Sequence, residues 1–182
     1  MTFQYRWLNE ISETEQSQIR QLFIASIEDE GMLGFDESDD EDISSFIYKL
    51  AAKVKNNISQ VLLIVDESTG DPVGTVVLTR VQHKTSCHIA ELSKVIISPG
   101  FRGSGVLKNG IRELCVLALE LGVSRFVFDV REGTESATLW SGLGFETYGR
   151  LEDYSHYKGK QYPGLFMTSS VSGLLEKYQK KK

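Results

Sequence analysis

The chain has 182 residues, 41% of them hydrophobic and 25% charged, with a net charge of −5. That length buries one sizeable core, so a single domain over residues 1–182 is expected, and the acidic balance excludes a nucleic-acid surface, which would be basic. The longest aliphatic run, Val61 to Val65, is too short to span a bilayer, and the N-terminus has no signal-peptide apolar core, so a cytoplasmic location is expected.

Phe3 to Leu8 alternates apolar and polar residues and predicts a first strand. Ser12 and Glu15 form a capping-box pattern, and a helix should run from there to about Ile27 with Ile19, Leu22 and Phe23 inward. Asp36, Glu37, Asp39, Asp40, Glu41 and Asp42 place six carboxylates in seven residues. They read either as a solvated loop whose last acids favour the next helix N-terminus or as a funnel for a cationic substrate. Ile43 to about Val54 is the second helix. Val61 to Asp66 is a buried strand, and Ser68-Thr69-Gly70-Asp71 turns it into a partner strand from Val73 to His83. Gly74 in that partner marks a bulge or a close backbone approach.

Ile89 to Ser98 is the next strand. By alternation Glu91, Ser93, Val95 and Ile97 share one face, and Leu92, Lys94 and Ile96 the other. Glu91 among apolar neighbours is a candidate general base; a plain strand carboxylate paired with Lys94 reads equally well. Past Pro99 comes Gly100-Phe101-Arg102-Gly103-Ser104-Gly105, and a helix starts near Val106. A strand that delivers a glycine loop onto a helix N-terminus forms an anion site. Val106 and Leu107 stand where a Walker loop needs Lys and Ser/Thr, and Lys108 stands where a dinucleotide fingerprint needs its third glycine.

Arg102 and Gly105 do fit Gln/Arg-x-x-Gly-x-Gly/Ala, with Leu107 departing from the usual small residue. The segment resembles the acetyl-CoA pyrophosphate loop of the GNAT family of N-acetyltransferases. The resemblance implies a mixed α/β fold with a central, mostly antiparallel sheet flanked by helices. It implies that Arg102, Gly103, Ser104, Gly105, Val106 and Leu107 hold the pyrophosphate of acetyl-CoA. It also implies that the backbone of Val95, Ile96 and Ile97 binds the pantetheine amides, and that Glu91 is the base.

The helix from Val106 to Leu121 is capped by Gly122, and Gly110 inside it suggests a packing reason. Arg125 to Arg131 is a strand apolar on both faces until its end, as suits a central position. Asp129 there reads as a cap or an ion pair with Arg131 or, by the resemblance, as a second carboxylate that orients the amine. Gly133, Leu139, Gly144 and Phe145 are similar in register to the family's second cofactor segment, and Trp140 occupies the place of the tyrosine that protonates the departing thiolate. An indole N–H donates a hydrogen bond but does not usefully lose its proton, so Trp140 is either the catalytic position or core lining. Thr147 to Tyr157 and Pro163 to Val171 are two antiparallel strands about Gly159, and Leu174 to Lys182 is a short basic tail with helical character that is expected to fray. Neither Cys87 and Cys115 nor His83, His88 and His156 have metal-ligand spacing, so no metal is expected.

The expectation is therefore an N-acetyltransferase that moves acetyl from acetyl-CoA to a small-molecule primary amine, without nucleic-acid or membrane partners and with a homodimer left open. A protein or peptide acetyltransferase and a catalytically silent CoA-binding module are the alternatives.

Overall fold

The computed structural model of the chain describes residues 2–28, 34–35 and 40–179. Its elements follow the expected order: β1 (Phe3–Leu8), α1 (Glu13–Glu28), α2 (Asp40–Lys55), β2 (Ser59–Asp66), β3 (Pro72–Arg80), β4 (Ile89–Ile97), α3 (Val106–Glu120), β5 (Arg125–Arg131), α4 (Glu135–Leu143), β6 (Glu146–Tyr157), β7 (Lys160–Ser170) and α5 (Val171–Tyr178). The strands form one seven-stranded sheet ordered β1-β2-β3-β4-β5-β7-β6. Every neighbouring pair is antiparallel except β4 and β5.

Apolar side chains on the two faces of the sheet build two cores. The larger gathers Leu62, Ile64, Ala90, Leu92, Phe126 and Phe128 against Ile111 and Leu114 of α3, Trp140 of α4 and Leu174 of α5. The smaller seats Ile19, Leu22 and Phe23 of α1 and Ile43 and Ile47 of α2 on Leu63, Val77 and Ile96. The capping box at α1 forms: Glu15 Oε2 accepts from the Ser12 N–H at 2.9 Å, and Ser12 Oγ accepts from the Glu15 N–H at 3.4 Å. Asp40, Glu41 and Asp42 sit in the first turn of α2, where the helix dipole favours them. Asp36, Glu37 and Asp39 lie outside the described residues. Cys115 is buried in the larger core, and burial pushes its thiol pKa up to about 12, so it behaves as a small apolar residue.

Three local expectations are corrected. The C-terminal helix is docked rather than frayed as far as Tyr178: Val171 and Leu174 are buried, and the Tyr178 hydroxyl donates to the Leu143 carbonyl at 2.8 Å. β7 begins at Lys160 and carries Pro163 inside it. The strand tolerates the missing N–H because the β6 register shifts there, between Leu151 and Ser155. Gly110 has no crowded neighbour, since an added Cβ would meet Ile64 Cδ1 at 3.6 Å and Tyr5 Cε1 at 4.0 Å, both ordinary contacts.

Candidate active site

The site begins where two parallel strands part. β4 and β5 pair at Ile89–Arg125, Ala90–Phe126 and Glu91–Val127, and the pairing ends there. On its other edge β4 continues along β3 to Thr75–Ile96 and Gly74–Ile97. Beyond Glu91, no strand among the described residues lies along the edge of β4 that faces β5, and its backbone groups are open to an extended ligand.

A bulge in β4 produces the divergence. The β3 register shifts between Thr75 and Val77, opposite the stretch from Ser93 to Ile96, and Lys94 has a φ of 49°. Gly74 makes the bulge possible: a Cβ there would lie 2.6 Å from the Ile96 carbonyl oxygen. The bulge also corrects the expected faces of the strand. Ala90 and Leu92 point into the larger core, so Glu91 and Ser93 point to the α1–α2 side. After the extra residue Val95 and Ile97 pack against the larger core, and Ile96 joins the smaller one. Lys94 stays with Glu91, its ammonium 5.0 Å from the ring centres of both Phe35 and Phe46.

Asp129 faces the same side, because its neighbour Phe128 points into the larger core. It pairs across β5–β7 with Phe166 and accepts a hydrogen bond from the Tyr154 hydroxyl. Loss of water raises the Asp129 carboxyl pKa above the ordinary value, and the charge of Lys94 opposes that rise. Burial in turn lowers the Lys94 pKa, and Asp129 and Glu91 both act against the shift. The ion pair expected between Asp129 and Arg131 does not form; Arg131 Nε donates instead to Ser155 Oγ at 2.6 Å. Tyr154 is held by β7: its ring stands edge-on to Phe166, with centroids 6.0 Å apart.

The glycine loop follows β4. A single 3-10 turn spans Pro99–Phe101, and Ser104 Oγ closes it by donating to the Phe101 carbonyl at 2.6 Å. Gly103 and Gly105 have φ values of 77° and 87°, in the region that favours glycine, and no heavy atom lies within 4 Å of a Cβ built on either. Gly105 is the N-cap residue of α3 and supplies no side chain to its first-turn N–H groups. Arg102 is exposed beside this turn, and Val106 and Leu107 pack on the larger core. Loop and open strand edge together fit an elongated ligand with a phosphate at one end.

Trp140 lies away from both carboxylates. It is 6% exposed and packs on Phe128 and Phe145, with ring centroids 4.6 and 5.1 Å away. Thr134 caps its helix by accepting from the Ala137 N–H at 3.3 Å. Spacing along the sequence gives Tyr154 no role of its own and gives Lys94 none beyond pairing with Glu91. Neither the bulge that turns Lys94 nor the cross-strand reach of Tyr154 has a signature in spacing.

The sequence model of the acetyltransferase (GNAT) family matches residues 12–145. The chain belongs to the GNAT acetyltransferase family. As such it is an acetyl-CoA-dependent N-acetyltransferase. Solved structures share its fold. One is a spermidine N-acetyltransferase from Vibrio cholerae in complex with CoA and spermine, with 19% identity and a TM-score of 0.74 over 95% of this chain and 98% of that one. A phosphinothricin acetyltransferase from Sinorhizobium meliloti in complex with acetyl-CoA has 20% identity and a TM-score of 0.73 over 93% and 89%. A ribosomal-protein-alanine N-acetyltransferase from Brucella melitensis has 20% identity and a TM-score of 0.71 over 93% and 99%. No curated protein sequence matches the chain. Among the described residues no helix is long and apolar enough to cross a membrane, and no His, Cys, Asp and Glu group could hold a metal ion.

Proposed function

We propose that this GNAT enzyme acetylates the primary amine of a small molecule, with Asp129 and Glu91 as the proton-accepting groups. The observation that carries the reading is the Asp129–Tyr154 contact at the mouth of the β4–β5 divergence. Acetyl-CoA, when bound, supplies the thioester. Arg102 to Leu107 would hold its pyrophosphate, and the open backbone edge of Val95, Ile96 and Ile97 would pair with its amides. Backbone N–H groups on that edge would also polarise the carbonyl.

Asp129 is the better positioned base of the two. Burial raises its pKa above the ordinary carboxylate value, while Tyr154 holds the carboxylate in one orientation. Glu91 is exposed on the same face and would relay the proton to solvent. The amine gives its proton to this pair, and the Lys94 charge favours the ionised form of Asp129 that receives it. Trp140, packed between two phenylalanines, would support the wall of the site rather than donate to the leaving thiolate.

Thermal unfolding with acetyl-CoA, CoA and ATP comes first. Ligand at 100 times its dissociation constant should add roughly 2.7 kcal/mol. A shift with both CoA species and none with ATP supports the loop assignment. An amine screen that follows free thiol release then compares Asp129→Asn with the parent protein. Full turnover by Asp129→Asn at every pH would sink the proposed base.

A further inference from the structure

Arg131 carries a hydrogen-bonding group that the fold leaves without a partner. It ends β5, two residues beyond Asp129 and on the same side of the strand. Its guanidinium carbon lies 5.0 Å from the ring centre of Tyr157 and 5.5 Å from that of Tyr162. Nε is satisfied by Ser155, but Nη1 is buried with no hydrogen-bond partner. A cationic donor closed off from water without an acceptor costs free energy in the unliganded protein.

The acids near this end of the sheet are engaged elsewhere. Glu132 accepts from Nε and Nη2 of Arg150, Asp153 meets His156 at 2.6 Å, and Asp129 accepts from Tyr154. Among the described residues none supplies the acceptor that Nη1 lacks, which leaves the place for one from a ligand. A guanidinium matches the planar oxygens of a carboxylate or phosphate better than any neutral group. Two residues along a strand separate the Cα atoms of Arg131 and Asp129 by about 7 Å, which sets the scale for the spacing of an anion and an amine held by the two.

We infer that Arg131 makes this enzyme selective for amines that carry an anionic group, a carboxylate or a phosphate, within about 7 Å of the amine. The inference rests on the acetyltransferase reading of the Asp129 site. Arg131 takes the anion by exposing Nη1, which is covered in the unliganded protein, while Asp129 faces the amine. A polyamine would place its second cation against the guanidinium and is disfavoured.

Matched pairs test this. They are 4-aminobutyrate against butylamine, O-phosphoethanolamine against ethanolamine, and spermidine alone. Each compound is titrated calorimetrically into the CoA-saturated protein, which cannot turn over, and then assayed with acetyl-CoA. One anionic member should bind about tenfold or more tightly than its plain partner and show a kcat/KM higher by a similar factor. The pair that shows the preference tells carboxylate from phosphate. Arg131→Gln should remove the preference mainly by raising KM for the anionic member, and Arg131→Lys should restore part of it. Retained CoA binding by both variants shows that they are folded.

Equal binding within both pairs, a better result with spermidine, or an equal loss on both members in Arg131→Gln would overturn the inference. Absence of turnover with every amine, alongside Arg131-dependent binding of an anionic member, would sink the reading of small-amine acetylation at the Asp129 site and leave the role of Arg131 standing.

Discussion

The ring of Tyr154 occupies the space in which any side chain on Gly164 would have to lie. A Cβ at Gly164 would stand 2.2 Å from Tyr154 Cγ and 2.6 Å from Cδ2. The two residues come together because the β6 register shifts between Leu151 and Ser155, opposite Gly164. The tyrosine is thereby laid across the backbone of β7, with its hydroxyl on Asp129.

Gly164→Ala should therefore act on the site through Tyr154. Overpacking of this kind costs about 1–3 kcal/mol, read as a lower denaturation midpoint, and kcat should fall with it. Tyr154→Phe separates the two effects. It keeps the ring and the fold but removes the donor to the Asp129 carboxylate. Losing a bond to the charged form raises the carboxyl pKa, so the acid limb of kcat/KM should move to higher pH. An unmoved limb in Tyr154→Phe would remove Tyr154 from the mechanism.

Lys94→Met should move the same limb in the same direction. Burial raises the Asp129 pKa and Lys94 pulls it down. Without the ammonium the burial acts unopposed, Asp129 stays protonated to higher pH, and the active base form appears later in the titration. A pH profile of kcat/KM decides the point, and a shift toward lower pH would contradict the assignment.

Gly74→Ala tests the bulge that parts β4 from β5. The clash is with a backbone oxygen, Ile96 O at 2.6 Å, which cannot rotate away as a side chain can. The expected cost is about 1–3 kcal/mol or somewhat more. The thermal shift produced by acetyl-CoA should shrink as well, because the open edge of β4 changes shape. A variant with lower stability but an undiminished shift would show that the bulge serves folding alone.

Gly110→Ala should stabilise the protein. The new methyl meets only ordinary contacts, and alanine in a helix interior is favoured over glycine by about 1 kcal/mol. Urea denaturation should show a higher midpoint with an unchanged slope.

Trp140→Ala should cost about 3–5 kcal/mol, as expected for a large aromatic removed from the Phe128–Trp140–Phe145 cluster. Trp140→Phe keeps an aromatic ring there and should hold turnover close to the parent value. A large fall in kcat in Trp140→Phe, with CoA binding intact, would return the residue to the chemistry.

The sequence by itself determined the order of the elements, the glycine loop and its helix, and the two strand carboxylates. Those features are local: apolar periods of two and 3.6, a capping box from Ser12 to Glu15, and glycines between a strand and a helix all act over a few residues. The alternation rule gave the wrong face for Val95 and Ile97, because one extra residue at Lys94 reverses every side chain after it. That bulge depends on β3, whose Gly74 lies some twenty positions away in sequence. The contact of Tyr154 with Asp129, the seat of Lys94 between Phe35 and Phe46, and the unmet donor of Arg131 likewise join residues from different elements. Only the packed sheet decided them, because hydrogen bonding, burial and charge coupling depend on distance in space, which a strand period does not encode.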